Sequence, residues 1–423
     1  MAGSYLSRQL FTALLTANAL RPSRHFATQV PTFFGGWVTS ELAPHLLALT
    51  VADAARELSG RDRSRLGLAV AAAGGAGLGA LIVESAGAQR RVDDALREGL
   101  GQDYLARLGA TYTDLDLSTP LSQLAWPFRL PDDEVEVVRD VAYDERHGRR
   151  GRLDVYRQRD AKLGDAPVLV QVHGGGWTIG SKDHQAIPLM HHMAARGWVC
   201  LAINYRLSPR DPFPAHIIDV KRAVAWAREH VHEYGGDSSF LAITGGSAGG
   251  HLAALAAMTP NDPEWQPGFE EADTSVDAAV PFYGLYDFAG ATGTPRSIEL
   301  RDRFLGPRVL FSDSRERLED FERASPLLRV SPDAPPTMVI HGARDSLAEI
   351  DQAREFVRAL RQVSRRQVVF AELPGAQHMF DVFPSIRSAA VVRGVERFLR
   401  WTYDAAVDVA VDAAVDTGVA DKQ

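Results

Sequence analysis

A single serine lies within a glycine-rich stretch whose residue types suit nucleophilic chemistry. Ser247 stands in the run Gly245-Gly246-Ser247-Ala248-Gly249, which fits the G-x-S-x-G pattern of a nucleophile on a tight strand-to-helix turn. The apolar run 240–243 before it suits a buried strand, and the run 251–258 after it favours a helix. Side chains at 245 and 249 would collide with that strand and helix, so glycine is expected at both positions as structural support. The alternative is a glycine-rich turn with an incidental serine, because short motifs also match by chance.

A second glycine-rich stretch could supply hydrogen-bond donors to a reaction at that serine. The run His173-Gly174-Gly175-Gly176-Trp177 follows the strand-like segment 168–172. Acyl transfer passes through a tetrahedral oxyanion, and successive glycines allow the backbone to turn its N–H groups toward that oxygen. The N–H of Ala248, directly after the serine, is the expected second donor. A flexible surface loop is the alternative interpretation of these glycines.

Two more residues could complete the chemistry. Asp345, in His341-Gly-Ala-Arg-Asp345, follows the strand-like run 337–340, and His378, in Gly375-Ala-Gln-His378, follows the run 368–373. Ligand-facing groups of a doubly wound sheet collect where its strands end. Taken singly, each residue is more often structural or solvated. Their order, Ser247 then Asp345 then His378, predicts a triad in which His378 takes the serine proton and Asp345 orients the histidine.

The elements that must position these residues alternate along the chain. Strand-like runs occur at 135–143, 152–156, 168–172, 199–204, 240–243, 278–283, 337–340 and 368–373, and helical runs at 184–196, 217–232, 251–258, 350–363 and 385–402. This alternation predicts an α/β fold with a mostly parallel, doubly wound sheet over residues 134–402. Residues 285–330 interrupt it and are predicted to form a cap insertion. Some apolar residues there either accept an acyl chain or pack the cap onto the core: Phe304, Leu305, Leu310 and Phe311.

The first 90 residues differ from the rest, and they raise the question of a membrane. The uncharged run 66–83 is just long enough to cross a bilayer as a helix, although alanine and glycine dominate it. With the apolar run 33–54, it predicts a helical hairpin that associates with a membrane through residues 33–83. The arginine-rich loop 56–65 would then face the cytoplasm and the catalytic part the outside. The alternative is a buried helical hairpin in a soluble cytoplasmic protein.

The remaining segments bear on domain organisation. Residues 91–133 are predicted to form a linker with cap helices that covers the site. Residues 403–423 repeat Ala-Val-Asp and place aspartates four apart, where like charges repel on one helical face. That acidic low-complexity tail is predicted to be a frayed or disordered extension.

The amino-acid composition limits the kinds of partner and cofactor that the chain is expected to bind. The 423-residue chain has a formal net charge of −8, which argues against nucleic acid, because binding phosphates needs a basic surface. The single cysteine, Cys200, excludes an internal disulfide framework and lies in an apolar strand-like run that suggests an inert thiol. No clustered metal-ligand spacing is visible, and neither metal nor organic cofactor is expected. The oligomeric state is left open.

Over residues 134–402 these motifs together resemble the α/β-hydrolases of the hormone-sensitive-lipase type, the bacterial family IV carboxylesterases and lipases. The resemblance implies that Gly175 and Gly176, with Ala248, form the oxyanion hole, that Gly174 is a further candidate donor, and that His173 is structural. It also implies a serine carboxylesterase acting through an acyl-enzyme on a small-molecule or lipid ester.

This chain departs from the family pattern at several positions. Gly246 stands where the family usually has Asp, and Arg210 where it usually has Glu. The His341–Asp345 motif is closer to feruloyl-esterase-like or arylformamidase-like relatives, which leaves the substrate open. Two alternatives therefore stand beside an ester hydrolase: an amidase, arylformamidase or deacetylase using the same triad, and a non-catalytic interaction module with a hydrolase-like fold.

Overall fold

An eight-stranded sheet forms the centre of the molecule. The computed structural model describes residues 4–60, 62–109, 122, 125–128, 134–159 and 164–416. The strands are β1 Val135–Ala142, β2 Arg152–Gln158, β3 Ala166–Val172, β4 Val199–Ile203, β5 Gly236–Gly246, β6 Ala278–Phe282, β7 Thr337–Gly342 and β8 Val368–Leu373. Their order is β1-β2-β4-β3-β5-β6-β7-β8. The β1–β2 and β2–β4 pairs are antiparallel and the others parallel, which confirms the predicted fold class.

Helices connect the parallel strands and precede the sheet in the chain. They are α1 Tyr5–Leu20, α2 Gln29–Glu41, α3 Ala43–Ser59, α4 Arg65–Ala86, α5 Ala88–Leu100, α6 Tyr104–Arg107, α7 Ile187–Ala195, α8 Ala215–His230, α9 Ala248–Met258, α10 Pro295–Leu300, α11 Leu318–Arg323, α12 Ile350–Val363 and α13 Ile386–Asp416. A π-helical segment, Arg301–Leu310, and short 3-10 helices complete the described elements.

The central strands are predominantly apolar because both faces of the sheet are covered. Along β3, Val168, Val170 and Val172 belong to one hydrophobic core and Leu169 to the other, as the two-residue period of a strand requires. Cys200 is buried in the second core, and burial raises the pKa of its thiol. Since β3 and β5–β8 run parallel, the loops that follow them emerge at one edge of the sheet. All predicted catalytic residues lie on those loops.

The N-terminal helices differ from the predicted hairpin. The run 33–54 is divided between α2 and α3, and the change of helix occurs at Leu42, next to Pro44 in the first turn of α3. Glu41 at the end of α2 is buried in an ion pair with Arg387, so this run is no apolar span. The second run is helical as predicted: among the described residues, one helical stretch, Arg65–Leu100, is long and apolar enough to cross a membrane.

Residues 91–107 form part of the folded unit, which the prediction of a linker missed. Helix α5 packs on β8 and α13 through Val92 and Leu96, both buried. A Cβ on Gly99 would lie 2.6 Å from Val369 Cγ2, which shows how closely the helix approaches the sheet. Much of the predicted cap over the site, residues 110–121 and 129–133, lies outside the described residues.

The acidic tail is helical over its first part. Helix α13 continues without a break to Asp416, and residues 417–423 lie outside the described part. Two features support its continuation beyond the catalytic core: Tyr403 packs against Trp198 and Phe240, and Arg400 forms an ion pair with Asp404 one turn later at 2.8 Å. Alanine, abundant in this segment, has the highest helix propensity. These contacts and the alanine content favour a helix at the start of the tail, where a frayed extension was predicted.

The segment 285–330 is largely packed into the main core. Leu305 and Leu310 are buried in the cluster that contains α9, so these two side chains pack the segment onto the core. Phe311 is exposed and Phe304 is partly buried. Of the four apolar residues considered for acyl binding, only Phe304 approaches the site, where its Cζ would lie 3.3 Å from a Cβ on Gly176.

Candidate active site

Ser247 occupies the corner between β5 and α9 in a strained backbone conformation. Its φ of 59° and ψ of −118° lie where L-residues are rarely found. Its N–H donates a hydrogen bond to the carbonyl oxygen of Phe282 at 3.0 Å, which ties the corner to the neighbouring strand β6. The serine is thus held at the carboxyl end of the sheet, next to the first turn of α9.

The two outer glycines of the motif are required by contacts with backbone atoms. A Cβ on Gly245 would lie 2.4 Å from the carbonyl oxygen of Gly249, and a Cβ on Gly249 would lie 2.0 Å from that of Val172. Both distances are far below van der Waals contact. Glycine at these positions therefore lets β5 turn directly into α9 beside β3.

Asp345 and His378 form the best-defined polar pair of the site. His378 Nδ1 lies 2.6 Å from Asp345 Oδ2, and both side chains are buried. The other carboxylate oxygen accepts the N–H groups of Leu347 and Ala348, each at 2.8 Å. Asp345 is therefore fixed by its own loop, and it fixes the plane of the imidazole.

The surroundings keep the Asp345 carboxylate ionised. Burial alone would raise its pKa, but the charge of His378 and hydrogen bonds from His341 and His378 outweigh burial, so the pKa lies well below its usual range. His341 contributes through its Nε2, 3.4 Å from Asp345 Oδ2. A carboxylate that stays charged can stabilise a positive imidazolium beside it.

Two side chains connect the histidine loop to the other loops of the site, Tyr283 to the serine loop and Gln185 to the glycine loop after β3. Tyr283 packs its ring against that of His378, with 4.5 Å between the centroids, and its hydroxyl would lie 2.7 Å from a Cβ on Gly246. Gln185 accepts the Gly174 N–H at 2.6 Å, and its Nε2 lies 4.0 Å from Met379 Sδ. The loops after β3, β5 and β8 therefore meet at one place.

Among the described residues, no hydrogen bond joins the Ser247 hydroxyl to His378. Bonds of this kind are often long in unliganded sites and shorten when substrate binds.

The N–H groups of the glycine loop after β3 differ in whether they already donate a hydrogen bond. Gly174 donates to Gln185, so its N–H is not free for an oxyanion, and the sequence-based candidacy of Gly174 was wrong. The N–H groups of Gly175, Gly176 and Ala248 donate to no other described residue. Gly175 and Gly176 have φ values of 119° and 59°, which glycine adopts without strain.

His173, the first residue of the glycine motif, is enclosed in the core next to the glycine loop. It is fully buried, its Nδ1 lies 2.7 Å from the carbonyl oxygen of Gly174, and its ring stacks on Tyr205 with 4.3 Å between the centroids. Burial lowers its pKa to about 4, so the ring is neutral at pH 7. The buried ring therefore supports the conformation of the glycine loop.

Helix α2 forms a wall of the site that the sequence analysis missed. Phe33 contacts the ring of His378 edge-on at 5.9 Å, and Gly36 faces Gln377, whose Nε2 would lie 3.3 Å from a Cβ there. Gln377 in turn accepts the backbone N–H groups of Ser346 and His378, at 2.7 and 2.9 Å. The apolar run 33–54 was interpreted through its hydropathy alone, which carries no signal for this contact.

Tyr283 and Asp381 were also missed, although one signal was available. Tyr283 directly follows β6, and residues after the strands of such a sheet are where ligand-facing groups collect.

Within the described ranges, no group of three His, Cys, Asp or Glu side chains lies close enough together to hold a metal ion.

Comparisons with known proteins agree on one kind of chemistry. A protein-family model described as BD-FAE matches residues 153–360. The chain is 44% identical over 404 residues to the probable carboxylic ester hydrolase LipM of Mycobacterium tuberculosis, covering 93% of this chain and 91% of that protein. It is 49% identical over 257 residues to esterase LipQ of the same organism, covering 60% of each. A thermophilic esterase from Thermogutta terrifontis, solved with butyrate bound, has a TM-score of 0.50 and 25% identity, covering 69% of this chain and 97% of that one.

Proposed function

The chain belongs to the carboxylic ester hydrolases of the hormone-sensitive-lipase type, with an α/β-hydrolase fold, and we propose that it cleaves its ester through an acyl-enzyme on Ser247. His378 removes the proton of the Ser247 hydroxyl as Oγ attacks the ester carbonyl carbon. The tetrahedral intermediate collapses, and the alcohol leaves with the proton from His378. Water, deprotonated by His378, then attacks the acyl carbon; the bond between that carbon and Ser247 Oγ breaks, His378 returns the proton to Oγ, and the carboxylic acid leaves.

The oxyanion of each tetrahedral intermediate is bound by the N–H groups of Gly175, Gly176 and Ala248. The support for this assignment is that all three N–H groups donate to no other described residue, and that Ala248 directly follows the serine. Ala248 also begins α9, so the partial positive charge of a helix N-terminus favours the developing negative charge. Removing one such donor typically costs about 100- to 1000-fold in kcat.

One observation carries the proposal more than any other: the 2.6 Å hydrogen bond between Asp345 and His378, at the sheet edge where Ser247 adopts its strained turn. Asp345 holds the proton of the neutral histidine on Nδ1, which leaves Nε2 as the base. Backbone N–H groups of its own loop already satisfy the other oxygen of the Asp345 carboxylate. The fold of this loop therefore gives no comparable structural reason for a histidine partner.

Labelling with a fluorophosphonate probe tests the nucleophile directly. We expect the wild-type chain to be labelled with loss of esterase activity, and Ser247→Ala to be neither labelled nor active. Thr244→Ser, a change of a buried hydroxyl on β5 whose Oγ1 donates to the carbonyl oxygen of Val280 at 2.7 Å, is a matched control that should be labelled as the wild type is. Labelling of Ser247→Ala at the wild-type rate would show that another residue is the nucleophile.

The immediate surroundings of Ser247 favour an apolar acyl group. Phe304 lies beside Gly176, and Phe33 lies against His378. We propose that these two rings flank the acyl chain. A panel of p-nitrophenyl esters of increasing chain length, measured beside formyl and acetyl amides, separates an esterase from an amidase, arylformamidase or deacetylase. Faster turnover of the amides than of every ester would contradict the ester assignment.

We also propose that the chain has two parts, a helical N-terminal part that associates with a membrane and a catalytic part over residues 134–402. Helix α4 has 22 residues, about 33 Å at 1.5 Å per residue, which matches a hydrocarbon core of about 30 Å. The N-terminal helices expose many large apolar side chains: Leu10, Phe11, Leu14, Val30, Phe34, Val38, Leu49, Val51, Leu58, Leu66 and Val83. Such a concentration of exposed apolar residues is typical of a membrane or protein interface.

Vesicle flotation tests the membrane proposal without truncating the chain, because α2 is part of the site wall. We expect the full-length protein to float with liposomes and the triple variant Phe11→Asp, Leu14→Asp and Val83→Asp to remain below. Val363→Asp, which changes an exposed valine at the end of α12, is the matched control and should float as the wild type does. A wild-type protein that stays with the soluble fraction would contradict membrane association.

A further inference from the structure

A tyrosine and a carboxylate other than Asp345 lie close to the proposed base. Tyr283 is 1% exposed and Asp381 is 6% exposed. The Tyr283 ring packs on the His378 ring, tilted by 54°, and its hydroxyl donates a hydrogen bond to Asp381 Oδ1. Asp381 follows His378 by three residues on the same loop. The histidine therefore has one carboxylate bonded to Nδ1 and a second one nearby.

Tyr283 and His378 both affect the pKa of the Asp381 carboxyl group. Burial raises the pKa of its carboxyl above the usual value, and the hydrogen bond from Tyr283 and the charge of His378 offset only part of that rise. The charge of Glu41 also raises it, although Glu41 is itself paired with Arg387. The Tyr283 hydroxyl is thus the donor that favours the ionised form of an otherwise poorly solvated carboxyl group.

Gly246 explains why the tyrosine can reach this place. A Cβ at 246 would lie 2.7 Å from Tyr283 Oη and 3.0 Å from Cε2, so any larger residue would displace the ring. Because position 246 is glycine, the tyrosine spans from the serine loop to the histidine loop, where its hydroxyl donates to Asp381.

We propose that Tyr283 and Asp381 act as a pair of positioning residues for His378, fixing its ring and stabilising its protonated form during acyl transfer. This inference rests on the proposed function, in which His378 is the base. The aromatic ring restricts rotation of the imidazole, and the Asp381 charge favours the imidazolium that forms when the serine proton is taken. Among the described residues, the titratable groups around this cluster also include Asp345, bonded to the histidine, His341, which contacts Asp345, and Glu41, whose charge acts on Asp381.

The experiment compares kcat, KM and the pH profile of kcat/KM on one soluble p-nitrophenyl ester. We expect Asp381→Asn to lower kcat about tenfold with KM changed less than about twofold, because a charge-assisted interaction with the transition state is lost. A carboxylate raises the pKa of a nearby imidazole, so its removal should move the acid limb of the profile to lower pH. Tyr283→Phe, which keeps the ring, should shift both quantities in the same direction by a smaller amount.

Tyr286→Phe is the matched control, since it removes the hydroxyl of a buried tyrosine whose ring stacks on Phe356. It should retain the wild-type kcat and acid limb. Thermal unfolding of each variant checks folding, and Tyr283→Phe decides the matter if Asp381→Asn does not fold. Folded variants with the wild-type kcat and acid limb would overturn the inference, as would a loss of kcat with no shift of the acid limb. The labelling experiment separates this result from failure of the proposed function, because an unlabelled wild-type chain would overturn the triad itself.

Discussion

Glu41, the last residue of α2, and Arg387, in the first turn of α13, form an ion pair in which neither side chain is exposed to solvent. The Ser385 hydroxyl donates to the other Glu41 oxygen at 2.7 Å. The pair joins the N-terminal helices to the segment that follows the loop of His378. Because α2 also contacts the His378 ring through Phe33, the N-terminal part and the proposed site are mechanically connected.

Breaking this pair should destabilise the whole protein. Glu41→Gln keeps the size of the side chain but leaves the buried guanidinium without its counter-charge, a change that typically costs about 3–5 kcal/mol. We expect a large fall in the thermal unfolding midpoint, with a parallel loss of activity. Glu372→Gln removes one partner of the exposed Arg354–Glu372 pair and should change the midpoint little. Equal effects of the two substitutions would contradict a structural role for the buried pair.

Asp345→Asn should reduce turnover far more than it reduces binding. An asparagine at this position cannot stabilise the imidazolium and can hold the wrong tautomer of His378, for which losses of about 10,000-fold in kcat are known in triads of this type. KM should stay within a few-fold of the wild-type value, since Asp345 is buried and does not reach the substrate. Asp351→Asn, at the exposed start of α12, is the control. Stopped assays on a p-nitrophenyl ester measure both constants, and an Asp345→Asn enzyme with more than a tenth of wild-type kcat would contradict the assignment.

The fold and the triad candidates were accessible from the sequence because each rests on a local pattern. The bounds of α12 and β8 coincide with the predicted runs 350–363 and 368–373, where strong amphipathicity or apolar continuity leaves little ambiguity. The parallel alternation then directs Ser247, Asp345 and His378 to one sheet edge.

The residues that were missed have partners far away in the chain. Arg387 pairs with Glu41 across 346 positions, and Tyr283 donates to Asp381 across 98. Neither pair has a local motif, so no spacing rule reveals it. The glycine run predicts Gly174 as a candidate donor, because the run alone does not show that Gln185 accepts its N–H. The tail was predicted to fray because charge repulsion is visible in the sequence, whereas the packing of Tyr403 is not.

Gly249→Ala should abolish activity, while an identical substitution in α4 should not. A Cβ at 249 would lie 2.0 Å from the Val172 carbonyl oxygen, so β3 and α9 would have to separate and the serine corner would shift. A misplacement of about 1 Å in catalytic geometry can cost about 100-fold in rate. Gly79 in α4 has no atom within 4 Å of an added Cβ, and alanine favours a helix by roughly 0.5–1 kcal/mol over glycine. Gly79→Ala should therefore be as active as the wild type and no less stable, and an active Gly249→Ala would show that the corner tolerates a side chain.

The stability of the protein should fall steeply between pH 7 and pH 5, because three imidazoles are buried in neutral form. Burial lowers the pKa of His173 to about 4 and those of His216 and His251 to about 3. Each ring would take up a proton near pH 6.5 once unfolded, so its contribution is complete above that pH and is lost as pH falls toward the folded values. Over this interval each histidine should remove about 2 kcal/mol from the free energy of unfolding. His216→Gln should flatten the pH dependence of the unfolding midpoint whatever its effect at pH 7, whereas His232→Gln, on the surface, should leave the slope as it is. A midpoint that is constant from pH 7 to pH 5 would show that these rings are not buried as neutral groups.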